Sequence, residues 1–177
     1  MCAGCATGYH IRNWKKTKKY CGCCGSKTEK SANERAFICP KCKNIEYPKI
    51  SPAVIVAIKD NDRLLLAKSL TGAYKKYGLI SGFVEVGESF EQAVHREVLE
   101  ETGLRVKNVR FYKDQPWGIS GAHMIGFYAD VDGDNTIVRQ ESELSEASWF
   151  KREEIPKYDN RLSVGSEMIE RFRLGQE

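Results

Sequence analysis

The chain has 177 residues with 28 Lys or Arg against 24 Asp or Glu, a formal net charge of +4. A chain of this size holds one α/β domain of about 120–130 residues beside a small module. No run approaches the ~18 apolar residues of a membrane helix, and internal repeats and low-complexity segments are absent from the sequence. The charge is uneven: residues 1–50 carry 11 Lys or Arg and 3 Asp or Glu, a balance of +8, and residues 51–177 carry 17 and 21, a balance of −4.

The chain opens Met1-Cys2-Ala3-Gly4-Cys5, without the long apolar segment of a signal peptide, so a reducing cytoplasm is expected. Cys2 and Cys5, with His10 behind them, could form a metal site; a reduced pair in a mobile terminus is the plainer expectation. Arg12, Lys15, Lys16, Lys18 and Lys19 follow, a basic cluster that suits either polyphosphate or RNA, or simply a solvated face. Next come Cys21-x2-Cys24 and Cys39-x2-Cys42, with fourteen residues between the pairs. Two such turns joined by a short hairpin suit tetrahedral Zn²⁺, and Gly22, Gly25 and Pro40 supply the turns. Cys23 could replace one ligand, although the x2 spacing favours Cys21 and Cys24. Residues 47–52, Tyr-Pro-Lys-Ile-Ser-Pro, form a stiff junction, so a ribbon domain over 1–50 and a second domain over 51–177 are expected.

In the second part, Ala53–Ile58 and Arg63–Ala67 flank Lys59-Asp60-Asn61-Asp62 and predict a hairpin. Ser89, with Gln92 three residues on, predicts a capping box and a helix from Phe90, and Gly103 a left-handed stop. On that helix Glu97 and Glu101 lie ~40° apart, with Glu100 ~60° to the other side of Glu97, so three carboxylates share a sector of about 100°. Like charges so spaced repel by a few tenths of a kcal/mol, and an all-oxygen donor set suits Mg²⁺ or Mn²⁺. The plain alternative is a solvated acidic face, with Arg96 pairing Glu100 and Arg105 pairing Glu101. Strands are then expected over Val106–Tyr112, Met124–Val131 and Ser148–Lys151, with a turn at 132–135. Met168, Ile169 and Phe172 have helical spacing that ends at Gly175.

Residues 82–104 match, with no departure, the pattern Gly-x5-Glu-x7-Arg-Glu-apolar-x-Glu-Glu-x-Gly-apolar, through Gly82, Glu88, Arg96, Glu97, Glu100, Glu101 and Gly103. This resembles the Nudix hydrolases, which implies an α/β/α sandwich with a mixed β-sheet. A zinc ribbon before that box is similar to the NADH pyrophosphatases, as are Trp14, the 47–52 junction, the 82–88 loop and Glu143-Leu144-Ser145-Glu146-Ala147-Ser148-Trp149-Phe150. By that resemblance Glu97, Glu100, Glu101, Glu143 and the Ser81 carbonyl would hold Mg²⁺ or Mn²⁺, with Glu101 or Glu100 as base. Gly82, Glu88, Arg96 and Gly103 would be structural. Tyr47, Phe83, Gln115 and Trp117 would contact substrate, the aromatic rings by stacking. The resemblance implies hydrolysis of NADH or NAD⁺ to a nicotinamide mononucleotide and AMP, or removal of an NAD cap from RNA, with no membrane association and a homodimer. One marker departs: the Pro-Phe-Pro that normally follows Gln-Pro-Trp is Gly118-Ile119-Ser120 here. ADP-ribose, FAD and dinucleoside polyphosphates are therefore alternative substrates, and a non-catalytic nucleotide sensor is a remote one.

Overall fold

A computed structural model of the chain describes residues 3–70, 76–118, 120–157 and 163–177. Two compact units emerge: Met1–Ser51 with Pro116–Ala122, and Pro52–Gln115 with His123–Glu177.

The first unit starts with helix α1 (Ala3–Thr17) and continues into strands β1 (Glu29–Lys30), β2 (Phe37–Ile38) and β3 (Ile45–Glu46), paired antiparallel in the order β1-β2-β3. The expectation of a mobile terminus is thus corrected. Ala6 and Trp14 are buried on one side of α1, and the Trp14 ring lies 4.6 Å from that of Phe37. An aromatic anchor two turns from a small buried residue stabilises a helix that its glycines would disfavour. Cys5 is exposed on α1, and Cys2 lies outside the described residues.

The second unit is a six-stranded mixed sheet between helices. Strands β4 (Ser51–Asp60), β5 (Arg63–Ser69), β7 (Val106–Pro116), β8 (Ala122–Val131) and β9 (Leu144–Lys151) run in the order β7-β8-β4-β5-β9. The short β6 (Ile80–Phe83) pairs with the first half of β4, Ile55 facing Ser81 and Val54 facing Gly82. The β4–β5 hairpin turns through Asn61, whose φ of 54° lies in the left-handed region that asparagine tolerates. Helix α2 (Phe90–Thr102) covers one face of the sheet, where Val54, Val56, Leu65, Val98 and Phe127 pack together. Helix α3 (Val164–Arg173) covers the other, with Leu64, Leu66, Tyr128, Met168 and Phe172. This is the expected α/β/α sandwich.

Three strands are longer than their sequence patterns suggest: β7 runs on to Pro116, β8 begins at Ala122 and β9 at Leu144. The expected turn at 132–135 does not join paired neighbours, because β9 lies against β5 on the far side of β4. A loop over 132–143 makes that crossing instead, and it brings an acidic residue to the end of α2.

Candidate active site and cysteine cluster

In the first unit the two Cys-x2-Cys turns are near copies. Gly25 N–H donates to Cys21 O at 2.9 Å, and Lys43 N–H to Cys39 O at 3.0 Å. Gly25 (φ 71°) and Lys43 (φ 64°) both follow the second cysteine of their pair in the left-handed region. The turns aim four sulfurs inward. Cys21 and Cys42 Sγ are 3.6 Å apart, Cys24 and Cys39 Sγ 3.5 Å, and all four lie within 4.8 Å of one another. Tetrahedral zinc with ~2.3 Å bonds needs a sulfur–sulfur edge of about 3.8 Å, so these thiols fit the ion. Hydrogen bonds from the Ser26 side chain, then from its backbone, pull Cys24 down to about 6, whereas Cys42, despite an Asn44 backbone hydrogen bond, is pushed up to about 12 by the neighbouring thiols. Cys23 stays exposed, outside the four.

The second unit gathers carboxylates at the C-terminal half of α2. Ser89 Oγ accepts from Gln92 N–H at 3.2 Å, while Gln92 Oε1 accepts from Ser89 N–H at 2.7 Å, which closes the capping box. Gly103 ends the helix at φ 70°. Ala93, Val94, Val98 and Thr102 are buried, so the angular geometry sets Glu97 and Glu101 at the edge of the apolar face rather than in open water. Glu101 is only 5% exposed. Burial, then the charges of Glu97, Glu143 and Glu100, raises its pKa to about 8. Burial also raises Glu97. The Glu101 carboxylate has neither a hydrogen bond nor an ion pair among the described residues.

Arg96 organises the surrounding loop. Its Nε and Nη2 grip both oxygens of Glu88 at 2.8 and 2.9 Å, and Nη2 also donates to Phe83 O at 2.9 Å. Nη1 reaches Glu97 at 2.7 Å and Glu100 at 3.2 Å. Glu88 accepts further from Glu85 N–H at 3.0 Å. The side chain of Arg96 first, then that backbone N–H, depresses the Glu88 pKa. The plain alternative of an Arg105–Glu101 pair finds no counterpart among the described ion pairs.

Close approach explains Gly82. A Cβ built there would sit 1.9 Å from Glu97 Cδ, so a side chain at this position would displace that carboxylate from the place Arg96 holds it in. Ser81 precedes it on β6, and the exposed Phe83 follows. Glu143 arrives by tertiary pairing. Val138 N–H donates to Thr102 O at 2.8 Å and Gln140 N–H to Glu101 O at 2.9 Å, while Glu143 O accepts from Leu70 N–H at 2.7 Å. Three carboxylates, Glu97, Glu100 and Glu143, around the buried Glu101 form an all-oxygen donor set that fits hard divalent cations. Their oxygens do not converge as tightly as the four sulfurs; Arg96 holds Glu97 and Glu100 instead.

The other expected substrate contacts are divided between the two units. Tyr47 lies in the first unit, 55% exposed, its hydroxyl donating to Glu34 at 3.1 Å. Trp117 belongs to that unit too, its backbone N–H donating to Ala122 O at 2.8 Å and its carbonyl 2.8 Å from His10 Nε2. His10 therefore contacts a backbone carbonyl and joins no cysteine cluster among the described residues. In the marker segment Ile119 lies outside the described residues. Gln115 Oε1 accepts from Val164 N–H at 2.7 Å, a bond that caps the start of α3. Sequence reasoning missed this capping role and the Arg96–Phe83 bond, since both depend on contacts distant in sequence.

Comparison with known proteins agrees with both parts. Residues 16–47 match the NADH pyrophosphatase zinc ribbon domain, and residues 49–172 match the NUDIX domain. A protein named NAD-capped RNA hydrolase NudC from Mannheimia succiniciproducens is 40% identical over 171 residues, covering 92% of this chain and 64% of the relative. One of the same name from Haemophilus influenzae is 43% identical over 168 residues, covering 92% and 62%. The chain thus spans less than two thirds of the length of these relatives. A crystal structure of a NUDIX hydrolase from Nitrosomonas europaea superposes with a TM-score of 0.76 at 26% identity, covering 89% of this chain and 92% of that one. With the box residues arranged around α2 and the domain matched over most of the chain, the chain belongs to the Nudix family.

Proposed function

We propose that the protein is a metal-dependent pyrophosphohydrolase that cuts the phosphoanhydride of NADH or NAD⁺, free or as the cap of an RNA. The observation that carries this reading is the buried Glu101 carboxylate, surrounded by Glu97, Glu100 and Glu143 and lacking a protein cation. Glu97, Glu100, Glu101, Glu143 and the Ser81 carbonyl would hold Mg²⁺ or Mn²⁺. Such ions neutralise the pyrophosphate and acidify the attacking water. Water adds to one phosphorus in line with the bridging oxygen, the phosphorus–oxygen bond breaks, and NADH becomes reduced nicotinamide mononucleotide and AMP. Glu101 or Glu100 takes the proton. Phe83, its carbonyl held by Arg96, offers a stacking face beside the carboxylates, worth ~1–3 kcal/mol per base in nucleic-acid systems. Tyr47 and Trp117 offer further aromatic faces.

Zinc at Cys21, Cys24, Cys39 and Cys42 is structural in this reading, and the boundary between domains falls near residues 50 and 51. A homodimer in the cytoplasm completes it. The NADH pyrophosphatase ribbon match and the printed names of the relatives support the choice of dinucleotide. Among the described residues no helix is long and apolar enough to cross a membrane. Turnover of NADH, NAD⁺, ADP-ribose, FAD and an NAD-capped RNA, with Mg²⁺ and with Mn²⁺, tests the proposal. Preference for NADH or the cap supports it. Faster turnover of ADP-ribose or FAD would assign the altered segment 118–120 a different substrate, and no turnover of any of them would end it.

A further inference from the structure

The pairing of β9 with β5 breaks step beside the carboxylates. From Lys151 back to Glu146 the two strands run opposite one another without interruption, Leu65 facing Trp149, Ala67 facing Ala147 and Lys68 facing Glu146. The next partner of Ser69 is Leu144, so Ser145 has no counterpart on β5. An extra residue on one strand of an antiparallel pair is a β-bulge, and it reverses the face to which the residues beyond it point.

The apolar pattern needs that reversal. Leu65, Ala67, Ala147 and Trp149 pack on the α2 face of the sheet, and Leu64, Leu66 and Phe150 on the α3 face. Unbroken alternation would bring Ser145 to the α2 face and Leu144 to the α3 face. The bulge instead sets Leu144, 5% exposed, in the cluster of Val98 and Leu104. The chain before it follows. Glu143 N–H and Leu144 N–H donate to Gln140 O at 3.1 and 3.0 Å, and Gln140 N–H donates to Glu101 O at 2.9 Å. Leu70 N–H donates to Glu143 O at 2.7 Å, in step with the shifted register. Without the shift Leu144 would stand opposite Leu70 and Glu143 would move on by one place. One added residue thus decides where Glu143 lies.

Two hydrogen bonds fix Ser145 there. Its Oγ donates to Lys68 O at 3.1 Å, and Arg139 Nη1 donates to its carbonyl. A bulge disrupts the ladder locally, and a charged guanidinium is a strong donor to a carbonyl at such a place. The other contact of Arg139, with Glu141 at 3.5 Å, involves a side chain 86% exposed and contributes little. The ladder resumes at Glu146, whose oxygens accept from Lys68 Nζ at 2.9 Å and from the Tyr77 hydroxyl at 2.5 Å. The bulge is therefore pinned at its centre and at its exit.

We infer that Arg139 and Ser145 are positioning residues for Glu143: by fixing the bulge they hold it at the end of α2, with Glu97, Glu100 and Glu101. This rests on the reading of Glu143 as a metal ligand made above, and it assigns neither residue a contact with metal or substrate.

Mn²⁺ binding to the zinc-loaded full chain, followed by electron paramagnetic resonance, is the test, beside amide exchange of the protein without Mn²⁺. Arg139→Ala should weaken Mn²⁺ binding about tenfold, the lower end of what loss of a supporting residue costs a metal site. Leu70 N–H should exchange faster in that variant. Arg139→Lys, which keeps a cationic donor, should recover most of both. Ser145→Ala loses only the bond to Lys68 and should move binding and exchange the same way by less; it replaces Arg139→Ala if that variant does not fold. Lys107→Ala breaks an ion pair to Asp132 in the same crossing loop and should leave Mn²⁺ binding as in the parent. In a Glu143→Ala background, which by itself weakens binding, Arg139→Ala should cost little more, because both changes act through one ligand. Parent-like Mn²⁺ affinity in Arg139→Ala and Ser145→Ala, or losses that multiply in full with Glu143→Ala, would overturn the inference and leave Glu143 a ligand. Parent-like affinity in Glu143→Ala would overturn it together with that reading.

Discussion

The two units gather metal-binding groups for opposite purposes. The first has little apolar interior: Ala6, Trp14, Ala36 and Ala122 are buried, with two of its four clustered cysteines. Its three strands have two residues each. A module so small needs a staple, and four thiols at tetrahedral spacing provide one. The second unit has two apolar clusters, one on each face of the sheet. Its carboxylates oppose stability, because Glu101 is buried among like charges. One group of ligands would build a fold; the other is held in place by a fold at a local cost. Buried, uncompensated ligands mark chemistry, and convergent ligands in a core-poor module mark architecture.

The sharpest way to break this contrast is to remove zinc. Chelation, or Cys39→Ser, should unfold the first unit, since structural zinc contributes about 10–16 kcal/mol in small modules. The sheet of the second should persist in amide-exchange measurements; loss of both together would erase the distinction. Next comes Glu101→Gln, expected to lower kcat on NADH on the order of 10³-fold with an unchanged fold. Unchanged turnover would remove Glu101 from the mechanism.

A smaller effect is expected from Gly82→Ala, which forces Glu97 to move. Overpacking of this kind costs about 1–3 kcal/mol, and Mn²⁺ affinity measured by electron paramagnetic resonance should fall with it. The smallest is a pH effect. Glu101 has a folded pKa of about 8, above the ordinary 4.5, so between those values the folded state binds more protons than the unfolded chain. Stability of the metal-free protein should therefore fall as pH rises from about 5 to 8. Glu101→Gln should flatten that slope in thermal melts, and Mg²⁺ should raise Tm more at pH 8 than at pH 6.

Much of the active site was legible before any coordinates. Ser89, Gln92 and Gly103 bracket α2 by rules acting over three or four residues, and the angular positions of Glu97, Glu100 and Glu101 follow from helix geometry. The cysteine cluster was legible for the same reason, since each Cys-x2-Cys turn forms its own knuckle. Helix α1 was less so. Ala6, Ile11 and Trp14 carry a thin stripe, and its strength depends on Phe37, more than twenty residues away. The lengths of β7, β8 and β9 are set by pairing with neighbouring strands rather than by their own alternation.

By itself the sequence determined the helix that carries the glutamates, the two knuckles and the sign of charge on each half, because all three rest on residues a few positions apart. Tertiary structure alone decided which carboxylate loses its water, that Arg96 locks Glu88 and Phe83 into one loop, that β6 passes Glu97 at Gly82, and that Glu143 reaches α2. Those outcomes depend on burial and on contacts between distant segments. A side chain's solvation, and with it its pKa, is fixed only when the chain has packed around it.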